Sequence, residues 1–324
     1  MSDKKEDQKG SFWTTLPGII TAIAALITAI GGFIAVLNTM GVFDPSPTNT
    51  PAAATRLATE PPAQSATDTL VVVETSTQSP TEASTVTSYP SEITDSKGVP
   101  MVLVPSGEFE MGSDKENNER PVHTVHLDGF YIDKFEVTNT LYRACVAVSA
   151  CEKPKNTSHY NRPEYANHPV VFVDWEMANA YCEWRGTRLP TEAQWEKTAR
   201  GTIASIYPWG NTVDTTFANY LNILRDTSEV GSYDSGQSVY GAYDLAGNVW
   251  EWVADRYAED YYFTLPPIAE NPTGPGPASG NFRVIRGGSY NDDANAVRSS
   301  NRAGLDLSSN GTDLGIRCAR NANP

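Results

Sequence analysis

The chain is poor in several residue types. It has four cysteines and four histidines in 324 residues. None of the cysteines falls in a C-x-x-C spacing, which removes the usual frame of a structural zinc site. Basic residues are outnumbered, 24 Lys and Arg against 39 Asp and Glu, for a formal net charge of -15. The cations are scattered rather than gathered in a stripe, which argues against a nucleic-acid partner. Residues 11–43 carry no charge at all, and residues 44–97 hold one aromatic side chain, Tyr89.

These two gaps divide the chain. Residues 16–37 are rich in Ile, Ala, Leu and Gly and have about the ~20-residue length that crosses a bilayer core. They read as a transmembrane helix. A cleaved signal peptide fits less well, because the apolar run is long and no A-x-A site follows it; a buried core helix is the other alternative. Lys4, Lys5 and Lys9 precede the span and no basic residue follows before Arg56. That bias puts residues 1–15 in the cytoplasm and the bulk of the chain outside it, anchored to the lipid bilayer. Residues 44–97, dominated by Thr, Ser, Pro and Ala, cannot bury enough apolar surface to offset their chain entropy. They read as a disordered stalk, with Leu70-Val71-Val72-Val73 as a local apolar bump or a short strand.

From residue 98 to 324 the pattern changes to apolar runs, aromatic residues and Gly turns, as in one folded α+β domain. Met101-Val102-Leu103-Val104 and Thr124-Val125-His126-Leu127 predict strands. Thr138 or Asn139 can cap a helix ending near Val148, Asp174 one ending near Arg185, and Thr191-Glu192-Ala193-Gln194 forms a capping box opening a helix that ends near Gly201. The remainder reads as loops and short strands. His123 and His126, three apart on a strand, point to opposite faces and make a poor metal pair. His159 and His168 lie in a Pro- and Asn-rich loop and read as structural or surface residues.

The string Arg188-Leu189-Pro190-Thr191-Glu192-Ala193-Gln194-Trp195-Glu196 resembles the signature of the formylglycine-generating enzyme, or sulfatase-modifying factor, family. Glu136-Val137-Thr138-Asn139, Gly247-Asn248-Val249-Trp250-Glu251-Trp252, Arg286-Gly287-Gly288-Ser289-Tyr290 and Leu314-Gly315-Ile316-Arg317-Cys318 follow the same resemblance. They span residues 101–320. The resemblance implies that family's loop-rich α+β fold, which is related to C-type lectins.

An extracytoplasmic domain with four cysteines would by default form two disulfides. Cys145 and Cys151 are close enough in sequence to close a short loop, and the resemblance pairs Cys182 with Cys318. A metal site using all four is the alternative. Family enzymes oxidise a substrate cysteine through two active-site cysteines that bind copper(I), a soft ion that wants thiolates. The resemblance puts those two positions at Asp292 and Val297. Neither can be a thiolate, so copper is not expected, and an oxidase would need Cys145 with Cys151 or another metal.

The resemblance also implies structural calcium, held by the side chains of Asp244 and Glu251 and the carbonyls of Gly247 and Val249, a hard oxygen set that suits Ca²⁺. The alternative is a turn whose acids cap backbone amides. A second set would use Asn219, Tyr220 and Asp226. Between residues 289 and 314 small polar residues dominate. The segment resembles the variable region of the diversity-generating retroelement targets that share this fold, with Asn291, Asp292, Asp293, Asn295, Ser300, Asn301, Asp306 and Asn310 as candidate ligand-binding residues. Such residues make adaptable hydrogen bonds, although they are equally common in ordinary surface turns. The leading expectation is a membrane-anchored display protein binding an extracellular protein or glycan. A formylglycine-type oxidase and a purely structural surface domain are the alternatives.

Overall fold

The computed structural model describes residues 89–322. The expected transmembrane span, most of the stalk and the Leu70–Val73 run lie outside the described residues. Among the described residues no helix is long and apolar enough to cross a membrane.

Among the described residues, three small sheets and three α-helices form the framework. The first sheet runs β1 (Glu92–Thr94), β2 (Pro100–Val104), β5 (Phe130–Asp133), β11 (Ala319–Asn321), all antiparallel. The second is β3 (Gly107–Met111), β4 (His123–Leu127), β7 (Ile268–Glu270). The third is β10 (Leu314–Gly315), β6 (Trp250–Arg256), β8 (Phe282–Arg286), β9 (Arg302–Asp306). Residues 92–94, placed in the stalk from composition, instead pair with β2, Ile93 opposite Met101. The next residue, Asp95, accepts from Arg185 at 2.7 and 2.9 Å. A three-residue strand with no apolar run of its own is held by partners elsewhere in the chain, which composition cannot register.

The helices begin where their caps predict. α1 (Asn139–Ala147) is capped by Thr138, which accepts from the Leu141 N–H, and α2 (Trp175–Trp184) by Asp174, which accepts from the Met177 N–H. α3 (Glu192–Arg200) opens with the reciprocal Thr191 and Gln194 box. Every residue of α3 is buried, an unusual position for a helix with four charged side chains. It is tolerable because each charge meets a partner. Glu192 takes Arg302, Glu196 takes Arg286 and Arg200, and the Lys197 ammonium donates to the Pro105 and Gly107 carbonyls. With no counter-ion, burial pushes Lys197 down to about 8.

Trp195 of α3 joins Val102, Val125, Leu127, Ile132, Val253 and Val284 in the main core between the sheets. Each such side chain, fully buried, contributes about 1.5–3 kcal/mol. A second core packs α1 and α2 against Trp252 and both disulfides, Cys145–Cys151 and Cys182–Cys318. No cysteine is free, so all four are spent on covalent staples and none is a thiolate.

Candidate functional site

β8 ends at Arg286 and hands the chain to Gly287 and Gly288, both at positive φ. A Cβ on Gly288 would lie 2.8 Å from Val297. This tight turn starts the polar segment, and the segment is pinned from beneath. Arg298 donates to Glu119 at 2.7 and 2.9 Å, and Arg302 to Glu192 at 2.7 and 2.9 Å, all four side chains buried. Residues 302–306 are strand rather than loop, paired with β8.

The pinning sorts the candidate residues. Asn291, Asp293, Asn295 and Asn310 are exposed, while Asp292, Asn301 and Asp306 are half-buried. Asn301 donates to the Ala296 carbonyl, and Asp306 accepts from the Ser308 N–H and hydroxyl. Ser300 is a correction. It is buried and its hydroxyl accepts from Arg298 Nη1 at 2.9 Å, so it belongs to the anchoring side. Its neighbours Arg298 and Arg302 carry it inward, which a count of small polar residues does not reveal.

The two positions matched to redox cysteines are far apart in character. Val297 is fully buried in an apolar cluster with Tyr207, Ala218, Tyr220 and Ala246. Asp292 is half-exposed; its Oδ2 accepts from Trp250 Nε1 at 2.9 Å, the Ser289 N–H at 3.0 Å and the Ser289 hydroxyl at 2.6 Å. Asp313 lies 3.4 Å from the same hydroxyl. Burial, with the Asp292 charge beside it, raises the Asp313 carboxyl above the usual range. Asp292, Ser289, Trp250 and Asp313 thus form a hydrogen-bonded polar cluster with no sulfur nucleophile. Of these, the sequence reading singled out only Asp292 for this face.

The expected calcium ligands are brought near one another but turned to other partners. Glu251 receives Arg317 Nε at 2.9 and 3.0 Å, Arg317 Nη2 at 2.7 Å and Trp195 Nε1 at 2.7 Å. Asp244 accepts from the Gly231 N–H at 2.7 Å. Glu136, also buried, accepts from Asn248 Nδ2 and the Val249 N–H. Of these three buried carboxyls, Glu251 alone is paired directly with a guanidinium, that of Arg317. Burial pushes Asp244 up to about 6 and Glu136 well above the usual range. Among the described residues no three His, Cys, Asp or Glu side chains converge as metal ligands. The set Asp244, Gly247, Val249 and Glu251 joins two side chains to two carbonyls, and in this arrangement the Glu251 carboxylate is held by Arg317 and Trp195.

The second set differs. Asn219 is buried and its Oδ1 has no partner, although Nδ2 donates to the Asp226 carbonyl at 2.9 Å. Asp226 itself accepts from the Tyr165 hydroxyl at 2.6 Å, with the ring of His159 stacked on Tyr165. Tyr220 is buried in the cluster around Val297. An orphaned amide oxygen is what a hard cation's ligand looks like without the ion.

Beyond Tyr220 the chain carries residues that the sequence reading did not use. Residues 221–225 are all exposed, with Leu221, Ile223 and Leu224 at 50%, 58% and 52%. The loop is tied to the polar segment through its backbone: the Leu221 N–H donates to the Asp292 carbonyl at 2.7 Å and the Asn222 N–H to the Tyr290 carbonyl at 2.6 Å. An apolar Leu-Asn-Ile-Leu run inside a polar loop was the signal available.

The family model for the sulfatase-modifying factor enzyme 1-like domain (FGE-sulfatase) matches residues 88–322. The serine/threonine-protein kinase pkn1 of Chlamydia pneumoniae is 37% identical over 241 residues, covering 69% of this chain and 38% of the kinase. The chain thus spans well under half of that relative's length. The formylglycine-generating enzyme of Streptomyces coelicolor is 34% identical over 283 residues, covering 68% of this chain and 89% of the enzyme. Among solved structures, Treponema denticola variable protein 1 superposes with a TM-score of 0.61 at 26% identity, covering 72% of this chain and 99% of that one.

Proposed function

Because this chain belongs to the sulfatase-modifying factor, or FGE-sulfatase, family, we propose that it uses the family fold for ligand binding rather than cysteine oxidation. In this reading residues 16–37 anchor it in a membrane and residues 44–97 hold the domain away from the surface, outside the cytoplasm. The exposed side chains of residues 291–310 then meet an extracellular protein or glycan.

One observation carries the reading. The positions assigned to the redox cysteines hold a half-buried carboxylate, Asp292, and a core valine, Val297, while all four cysteines of the chain are in disulfides. Copper(I) chemistry of the family type needs thiolates, and this chain has none to offer. The pinned inner face and polar outer face of residues 289–310 support a binding role, as does the likeness to a variable protein. Retroelement diversification of the segment is part of the proposal. A near-identical DNA repeat differing at adenines, beside a reverse transcriptase gene, is its genomic signature. A structural calcium ion is proposed at Asn219 and the Tyr220 carbonyl, supported by the unpartnered Asn219 Oδ1; its role would be to hold the loop, not to react.

The test runs both activities on the same full chain. Incubated with copper and a peptide bearing Cys-x-Pro-x-Arg, it should leave the peptide thiol mass unchanged. Screened against arrayed extracellular proteins and glycans, it should give saturable binding that Asn291→Ala, Asp293→Ala, Asn295→Ala and Asn310→Ala together abolish while the chain still unfolds cooperatively. Loss of the peptide thiol, or binding indifferent to those four changes, would overturn the proposal.

A further inference from the structure

We infer that the binding face extends beyond the polar segment onto the loop 221–225, and that its partner is a protein surface offering an apolar cleft with a basic rim. The inference rests on the binding reading above and narrows it. Five consecutive exposed residues with three large aliphatic side chains are an uncommon surface feature. Exposed aliphatic groups scattered singly need no explanation, but a contiguous set on a constrained loop marks an interaction site.

The constraint is visible in the backbone. Leu221, Asn222 and Arg225 sit at φ of 59°, 54° and 60°, a region that non-glycine residues adopt only where their surroundings favour it. The two hydrogen bonds to the Asp292 and Tyr290 carbonyls hold it there. These bonds fix the start of the loop, so a partner meets a partly preorganised apolar anchor. The same two bonds join the loop to the segment carrying Asn291 and Asp293, which makes the two a continuous face.

Charge decides the partner's character. Asp293 is exposed on the segment side and the partly exposed Asp226 follows the loop directly, while the Asp292 carboxylate is turned to Ser289 and Trp250; Arg225 is the one basic residue in the loop. On a chain of net charge -15, an acidic rim around an aliphatic centre complements Lys and Arg around an apolar pocket. A neutral glycan offers mostly hydroxyls to three exposed aliphatic side chains and no cations to the acidic residues beside them, so the occupant we infer is protein.

The probe is a phage-displayed library of linear peptides selected on the immobilised full chain, with one enriched peptide then synthesised for titration. The expected consensus combines Leu, Phe or Trp with Lys or Arg. Its Kd should weaken at least tenfold in the triple variant Leu221→Ser, Ile223→Ser, Leu224→Ser, severalfold in Ile223→Ser alone, and with added salt. These residues are exposed, so Tm should be unchanged, and the single variant keeps the test valid if the triple variant unfolds. Asn291→Ala with Asn295→Ala reads the parent proposal separately. Binding lost there but kept in the loop variants overturns this inference and leaves the binding function standing. Binding kept in both sets overturns both. A library that returns no binder, or only acidic or neutral peptides, also overturns it.

Discussion

Arg298 and Glu119 form a buried, two-pronged ion pair, Nη2 to Oε1 at 2.7 Å and Nη1 to Oε2 at 2.9 Å, between residues 179 apart in sequence. Ser113 and Ser300 complete the hydrogen bonding around it. The segment that presents Asn291, Asp293 and Asn295 is therefore fixed by a charge pair on its hidden side. Of the outward residues, Asn295 still touches that pair, its Oδ1 accepting from Arg298 Nε at 3.0 Å.

Removing one member of that pair should be far worse than removing both. Arg298→Met leaves the Glu119 carboxylate buried and unpaired, which costs about 3–5 kcal/mol. Arg298→Met with Glu119→Met should recover much of that loss, since an apolar pair of similar volume can replace a buried ion pair. Urea unfolding of the three proteins gives the numbers. Equal loss in the single and double variants would mean that packing, not charge, holds the segment.

The two disulfides should contribute unequally. Cys182–Cys318 closes a loop between residues 136 apart and Cys145–Cys151 one between residues only 6 apart. Chain-entropy scaling gives roughly 5 kcal/mol for the first and about 2 for the second. Paired Cys→Ala variants should lower Tm in that order. Intact mass should show no alkylation before reduction and four alkylated thiols after it.

Thr191→Ala should cost about 1 kcal/mol by removing the cap of α3. The Thr191 hydroxyl accepts from the Gln194 N–H, and Gln194 Oε1 accepts both the Thr191 N–H and Arg188 Nη1. Gln194→Ala should be at least as costly, because it breaks the return bond of the box and the Arg188 contact together. Denaturant midpoints at constant slope check both.

What could be read from the sequence was local. Thr138, Asp174 and Thr191 announce their helices because a cap acts within one turn, and Met101–Val104 announces β2 by its unbroken apolar run. Glu92–Thr94 stayed hidden because its strand character comes from pairing with β2 and from Asp95 meeting Arg185 90 residues away. Ser300 was misplaced for the same reason: its burial is set by Arg298 and Arg302 reaching Glu119 and Glu192. Glu251 reads as a calcium ligand from its string, but its pairing with Arg317, 66 residues on, could not be read there. Long-range charge pairing leaves no period or spacing in the sequence.

Asp255 should make the fold less stable as pH rises through neutrality. Burial, aided by the neighbouring Glu192 charge, pushes its carboxyl up to about 8, against the pull of the Glu192 N–H, Arg302 and Arg188. In the unfolded chain an aspartate ionises near about 4. Between roughly pH 4 and 8 the folded protein therefore holds a proton that the unfolded chain has released, so the unfolding free energy falls with pH across that window. One proton sets a ceiling of about 1.4 kcal/mol per pH unit. Asp255→Asn keeps an oxygen for the Glu192 N–H but cannot ionise. It should match the parent near pH 4 and exceed it increasingly toward pH 8. Urea unfolding of both proteins from pH 4 to 8 measures the difference, which cancels the contributions of the other buried acids. Parallel pH profiles would mean that Asp255 is ionised in the folded state throughout, held so by Arg302 and Arg188.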